Sequence, residues 1–237
     1  MTEQVRAGLR RLANPAKAAA LQRFFKTGKG QYGEGDVFLG VMVPDQRRVA
    51  RECSALGLDG AAELLASPIH EERLTALLIL VNQFAKAAPP ERKRIYDFYL
   101  RHRGRVNNWD LVDLSAPQIV GPCATLAVLE KLARSRTLWD RRIGMVATFY
   151  GIREGEPAAA LRIAEILVED EHDLIHKAAG WMLREVGKRC GAAPLEGFLD
   201  RHADHMPRTM LRYAIERMPE EQRRVYLGAG ASARRVP

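Results

Sequence analysis

Asn107-Asn108-Trp109-Asp110-Leu111-Val112-Asp113-Leu114-Ser115-Ala116-Pro117 is the stretch of this 237-residue chain whose residue types are best suited to chemistry. Asn108 is a helix-capping type, and a helix starting at Trp109 puts its indole and the Asp113 carboxylate four residues apart on one face. An anion beside an aromatic face suits a reaction centre that develops positive charge. Pro117 has no amide hydrogen to give the carbonyl of Asp113, so the helix is expected to kink or stop close to that carboxylate. A plainer reading of the same residues makes Asp113 a surface acid and Trp109 a buried anchor.

A second set of candidates lies on one helical stripe. From about Leu174 to Lys188, the residues Ile175, Ala178, Ala179, Met182 and Val186 form an apolar face, while Lys177, Trp181, Arg184 and Lys188 recur at i, i+4, i+7 and i+11. The indole rides with the cations, as a surface for a flat or anionic ligand requires; covered by Lys and Arg stems it would instead be half-buried packing. Thr137-x-x-Asp140 has capping-box spacing and puts Arg141 and Arg142 in the first turn of the preceding helix. Cations there oppose the helix dipole, a cost that a nearby phosphate would offset.

Five glycines fall within the thirteen residues from Gly28 to Gly40. They match neither GxxxxGK[ST] nor a GxGxxG between strand and helix, so a nucleotide site is not expected. A flexible loop able to offer amides, Lys26 and Lys29 to a backbone phosphate fits better. Cys53, Cys123 and Cys190 are odd in number and lack zinc-site spacing; they read as buried or half-buried thiols, and no metal or other cofactor is implied.

The elements that must position these groups are helical. Residues 71–80 and 158–167 are rich in Ala, Leu, Glu and Arg with apolar faces at helical spacing, and no convincing strand alternation occurs. Ser67-Pro68, Ala88-Pro89-Pro90, Gly121-Pro122, Gly155-Glu156-Pro157, Ala193-Pro194 and Met206-Pro207 punctuate them. Aligning helix starts on Arg73, Asn108, Arg142, Lys177 and Arg212 gives steps of 35, 34, 35 and 35 residues, the range of stacked helical repeats. Two positions later stand the small residues Thr75, Gly144, Ala179 and Ala214, which let helices approach closely; the central repeat has Asp110 instead. The expected fold is all-α, a curved α-solenoid of HEAT-like repeats with a concave basic face. It is read as one domain over 1–237, with N-terminal helices and the glycine-rich loop to about 66, repeats over 67–218 and a tail over 219–237.

With 37 Lys and Arg against 29 Asp and Glu, the net charge is +8 and the pI near 9.7, which favours a polyanionic partner. An apolar run of ~20 residues is missing, which excludes a membrane-spanning helix, and Met1-Thr2-Glu3-Gln4-Val5-Arg6 runs straight into an amphipathic segment, which predicts a cytoplasmic protein.

From about residue 20 to 218 the chain resembles the bacterial DNA alkylation repair glycosylases built of HEAT-like repeats, the AlkD family. The resemblance rests on Asn108-Trp109-Asp110-Leu111-Val112-Asp113, on Trp139-Asp140-Arg141-Arg142 and on Lys177-Ala178-Ala179-Gly180-Trp181-Met182-Leu183-Arg184-Glu185, with Val41-Met42-Val43-Pro44-Asp45-Gln46-Arg47-Arg48 in support. It implies that Trp109, Asp113 and Trp181 are the catalytic trio and that Arg142 and Arg184 are basic positions beside them. It further implies a monomer that acts on double-stranded DNA, excising N3- and N7-alkylated purines while gripping the backbone rather than inserting the lesion in a deep pocket. Better-known members carry a tyrosine on the helix where this chain has Phe24-Phe25; Tyr32 in the glycine loop is the alternative source of that hydroxyl. A HEAT-like DNA-binding or protein-interaction scaffold without turnover is the other function class that these residues admit.

Overall fold

The computed structural model describes residues 1–232, with side chains as far as residue 228. Helices make up almost all of its regular structure; an isolated parallel bridge joins Val37 to Ile69. The chain divides into two compact units, Met1–Ile119 and Val120 onward.

The first unit contains α1 (Thr2–Arg11), α2 (Pro15–Phe24), α3 (Val43–Glu52), α4 (Leu58–Leu65), α5 (His70–Lys86), α6 (Pro89–His102), a 3-10 turn (Arg103–Arg105), α7 (Trp109–Asp113) and α8 (Ala116–Ile119). Local signals set several starts. Asn14 caps α2 by accepting from the Lys17 amide at 3.0 Å, with Pro15 in the first helical position, and α6 opens on Pro89. The spine is α5. From His70 to Leu80 it is buried on every side, so it needs the neighbours that pack on it: α1, α3, α4, α6, α7 and α8.

The second unit contains α9 (Leu126–Ala133), α10 (Leu138–Ala147), α11 (Phe149–Arg153), α12 (Ala158–Ile166), α13 (Asp173–Arg189), α14 (Ala192–His202), α15 (Arg208–Ala214) and α16 (Glu220–Ser232). Within it α10, α13 and α15 pack in sequence, with α9 against α10 and both α12 and α14 against α13. The three inner helices start at Leu138, Asp173 and Arg208, a spacing of 35 residues each time. Small residues permit the approach: a Cβ on Gly144 would lie 3.0 Å from the Ala133 nitrogen, and one on Gly180 would lie 2.5 Å from the Met210 carbonyl oxygen. This all-α architecture of HEAT-like helical repeats is the fold that the periodicity predicts.

The period is displaced in the first unit. Arg73, Arg142, Lys177 and Arg212 each lie about one turn inside their helices, whereas Asn108 is a cap, and the 3-10 turn occupies the place where the template would start a helix. As expected, α7 stops at Asp113, and Pro117 is the second residue of α8. Thr137 departs from the expected capping box, because it makes no side-chain cap bond. Ser135 takes that part: its Oγ accepts from the Thr137 amide at 3.2 Å and donates to Asp140 at 3.0 Å. Of the segment read as a tail, residues 220–232 are helical and 233–237 lie outside the described residues. Among the described residues no helix is long and apolar enough to cross a membrane.

Candidate active site

A five-residue helix is far too short to be stable on its own, so α7 must be held by its surroundings. Asn108, extended at φ −149° and ψ 157°, accepts from the Trp109 amide at 2.8 Å through Oδ1 and donates through Nδ2 to Asp36 at 3.1 Å. Asp110 accepts from the Leu111 amide at 2.8 Å, while its other oxygen accepts from His70 Nε2 at 2.8 Å. His70 Nδ1 faces Asp36 Oδ2 at 2.9 Å, and Arg73 donates to Asp36 Oδ1 at 2.6 Å. All five side chains are buried. With a carboxylate on each ring nitrogen, His70 is an imidazolium: burial pushes its pKa down, but Asp110 and Asp36 outweigh that and hold it at about 9. Burial likewise pushes the Asp36 carboxyl up, and His70 and Arg73 together hold it below the usual carboxylate range. Two cations and two anions thus form a neutral cluster under α7, the arrangement in which burying charge costs least.

Aromatic rings continue this support to the surface. Trp109 is half-buried and stacks on Phe25 at 5.1 Å and 14°; Phe25 stacks on Phe38 at 5.0 Å, and Phe38 on His70 at 4.5 Å. Phe24, 63% exposed, meets the indole edge-on at 6.0 Å. One indole face is therefore covered by Phe25, and Asp113 stands half-buried at the far end of the same single turn. The first unit so brings Trp109 and Asp113 together, as their spacing predicts.

The glycine loop differs from its expected role in one respect. Lys26, at φ +51°, and Lys29 are exposed, yet the Gly28 amide donates to Gln31 at 3.0 Å and the Gly30 amide to Glu34 at 2.7 Å. The loop's own side chains hold those amides, and its lysines point outward. Tyr32 donates its hydroxyl to the Phe24 carbonyl at 3.4 Å, which ties the loop to the end of α2. Gly33 is required by close approach, since a Cβ there would lie 2.4 Å from the Phe25 carbonyl oxygen.

Further residues of this unit carried no signal in the sequence. Glu71 is fully buried and gathers the amides of Leu39 at 3.0 Å, Gly40 at 2.8 Å and Val41 at 3.2 Å. In the sequence it reads as a first-turn acid of α5, and its partners are some thirty positions away. His70 and Asp36 were hidden for the same reason.

In the second unit Trp181 is half-buried on α13, with Phe149 at 6.0 Å and 37°. Lys188 is exposed, and Lys177 pairs with Asp173 at 2.7 Å. The arginines are turned inward more than their positions suggest. Arg142 is 5% exposed and donates to the Leu174 carbonyl at 2.6 Å, joining α10 to α13; Arg184 pairs with Glu216 and lies 3.6 Å from Glu185. Arg141 grips Asp170 at 2.6 and 3.3 Å and donates to the carbonyls of Ser135 and Arg136. That pairing answers why cations are tolerated near the start of α10. Arg141→Ala is expected to lower stability by about 1–3 kcal/mol, because it strands a partly buried carboxylate and two carbonyls. A denaturant melt unchanged by the substitution would show that the clamp contributes nothing.

Among the described residues no group of three or more His, Cys, Asp or Glu is placed to hold a metal ion. No curated protein matches the chain in sequence. A solved structure described as "Predicted DNA alkylation repair enzyme from Enterococcus faecalis" aligns with a TM-score of 0.64 over 88% of this chain and 97% of that one, at 16% identity, a likeness of fold. The sequence profile of the DNA alkylation repair enzymes matches residues 5–218, nearly the whole chain, and this protein accordingly belongs to the DNA alkylation repair enzyme family.

Proposed function

We propose that this member of a DNA repair family is a DNA N-glycosylase that releases cationic N3- or N7-alkylated purines from duplex DNA. The observation that carries this reading is the pairing on α7 of an indole backed by Phe25 with a half-buried carboxylate one turn away, on a helix held by a buried charge cluster. An alkylated purine of this kind is already positive. When its glycosidic bond breaks, the bonding pair goes to the ring nitrogen and the base leaves neutral, so no general acid is required. The sugar becomes oxocarbenium-like, water adds at C1′ and loses a proton, and an abasic site remains. A preorganised anion and an aromatic face both lower the cost of that transient charge. Two carboxylates are the usual requirement where the leaving group is uncharged; one suffices for a labile cationic base.

Asp113 is assigned the sugar or its attacking water, and Trp109 the aromatic face. Trp181, on α13, is assigned a further aromatic face, an indole among Lys177, Arg184 and Lys188. Phosphate contacts fall first to the exposed Lys26, Lys29 and Lys188, with Tyr32 placing the loop; Lys177, Arg184, Arg141 and Arg142 take part by exchanging their internal partners for phosphate, in a protein that works as a monomer. The inward pairing of Arg142 and Arg184, which leaves fewer cations for phosphate, favours a second reading, a HEAT-like DNA-binding or protein-interaction scaffold without turnover. Incubating the protein in excess over N-methylated duplex DNA separates the two: the glycosylase produces free methylpurine, and the scaffold produces a bound complex with no free base.

Trp181→Ala is expected to lower single-turnover excision roughly 30-fold, the equivalent of about 2 kcal/mol of lost cation–π stabilisation. Its melting temperature should fall by only a few degrees, because the indole is half-buried. A large drop in melting temperature with a proportionate loss of activity would instead assign Trp181 to packing.

A further inference from the structure

His70 lies outside every motif that pointed to function, yet the residues bearing the proposed chemistry depend on it by three routes. Through Nε2 it is bonded to Asp110, the residue after Trp109 and three before Asp113. Through Nδ1 it is bonded to Asp36, which also receives the Asn108 side chain that caps α7. Through its ring faces it contacts Phe38 at 4.5 Å and Phe25 at 5.0 Å, and Phe25 is the ring against which Trp109 stacks. A buried side chain that costs a charge and does nothing else is a poor use of a core position: an apolar residue of similar volume is often as stabilising or more so. What the charged ring adds is direction, since two N–H donors fixed in a plane determine where both carboxylates sit.

We propose that His70 is the positioning residue of this site: bridging Asp36 and Asp110, it sets the placement of α7 and with it the orientation of the Trp109 indole and the Asp113 carboxylate. The part concerning Asp113 rests on the glycosylase reading; the part concerning the indole does not. The charged groups that face His70 are Asp36 from the glycine loop, Asp110 from α7 and Arg73 from its own helix, while the neighbouring Glu71 is turned to the amides of residues 39–41. While both ring nitrogens carry protons, the cluster is neutral and both bridges hold. Loss of one proton takes the imidazole donor from one of the two carboxylates and leaves the buried cluster with a net negative charge. His70 is held at a pKa raised from the ordinary histidine value of 6.5 to about 9, so its contribution is complete below 6.5 and is lost as the pH rises through about 9.

The test uses the full-length chain with Trp139→Phe and Trp181→Phe, which leaves Trp109 the one indole of the three. Emission and acrylamide quenching are followed over the alkaline range, with far-UV spectra to show that the protein stays folded. The expected result is a step in the Trp109 signal centred at about pH 9. In the same background Asp110→Asn moves the midpoint to lower pH, and His70→Gln abolishes the step. In the chain with all tryptophans retained, His70→Gln lowers the single-turnover excision rate by about 10²-fold near neutral pH with DNA affinity unchanged, the pattern expected when reacting groups are misplaced rather than removed. A flat indole titration in the folded protein, a midpoint that Asp110→Asn leaves in place, or wild-type excision by a folded His70→Gln would each overturn the proposal. If His70→Gln does not fold, the wild-type and Asp110→Asn titrations decide. If no variant releases base but the step is present and shifts with Asp110→Asn, the glycosylase reading fails while the control of Trp109 by His70 stands.

Discussion

Asp113→Asn is expected to leave the fold intact and to lower single-turnover excision of N-methylated purines by about 10²–10³-fold, the usual cost of removing one preorganised electrostatic group. Asn has almost the same volume and keeps a hydrogen-bonding carbonyl, so the substitution isolates the charge. Asp113 stands at the last position of α7, half-buried, while the buried Asn108 and Asp110 tie the helix to Asp36 and His70. DNA affinity should stay level or rise slightly, because an anion has been taken from a surface assigned to phosphates. Melting and binding curves on the same preparation provide the controls. Near-wild-type excision by a folded Asn variant would remove Asp113 from the mechanism and turn attention to another group or to the scaffold reading.

The largest effect on stability is expected from Glu71→Ala. The Glu71 carboxylate is buried to 0% exposure and accepts from three consecutive amides, at Leu39, Gly40 and Val41. That turn has no freedom to find other partners. Gly40 sits at φ +83°, where a Cβ would lie 2.1 Å from the Asn14 carbonyl oxygen, and the Asn14 amide in turn donates to the Leu39 carbonyl at 2.8 Å. Truncating the side chain leaves buried donors unsatisfied at about 1–3 kcal/mol each, together with a cavity, so a total of about 3–5 kcal/mol is expected. For a chain of this size that corresponds to a melting temperature lower by about 6–20 °C. Denaturant unfolding with unchanged slope and a shifted midpoint is the check. A loss under about 1 kcal/mol would mean that the amides find water or other acceptors once the carboxylate is gone.

How much of this site could be read from the sequence depended on the distance over which each feature acts. The Asn108 cap, the single turn from Trp109 to Asp113 and its end before Pro117 are local, and the structure has them as read. The 35-residue spacing in the second unit is legible too, because small residues recur in it where helices approach closely, Gly144 of α10 against α9 and Gly180 of α13 against α15. By contrast, Asp36 and Asp110 reach His70 across 34 and 40 positions, and nothing near any of the three announces the others. Asp110 registered only as a break in the template, and its reason is the imidazolium that it faces. Phe24-Phe25 registered as a missing hydroxyl, whereas Phe25 supplies the stacking surface under Trp109. The basic residues were the least legible. Arg141 and Arg142 differ by one position and share a type, but one clamps Asp170 and the other reaches the Leu174 carbonyl; side-chain reach into neighbouring helices decides that, and periodicity does not record it.

Cleavage of the bond between base and sugar is detected by product analysis under single-turnover conditions. Duplex DNA carrying N3- and N7-methylated purines is incubated with excess protein, and free methylpurines and abasic sites are quantified in the same samples. A glycosylase releases the two together in equal amounts, at a rate above that of spontaneous depurination, and Asp113→Asn slows both alike. Methylated DNA that is bound and returned unaltered, or unmodified purines restored in the strand with no base released, would contradict the glycosylase reading.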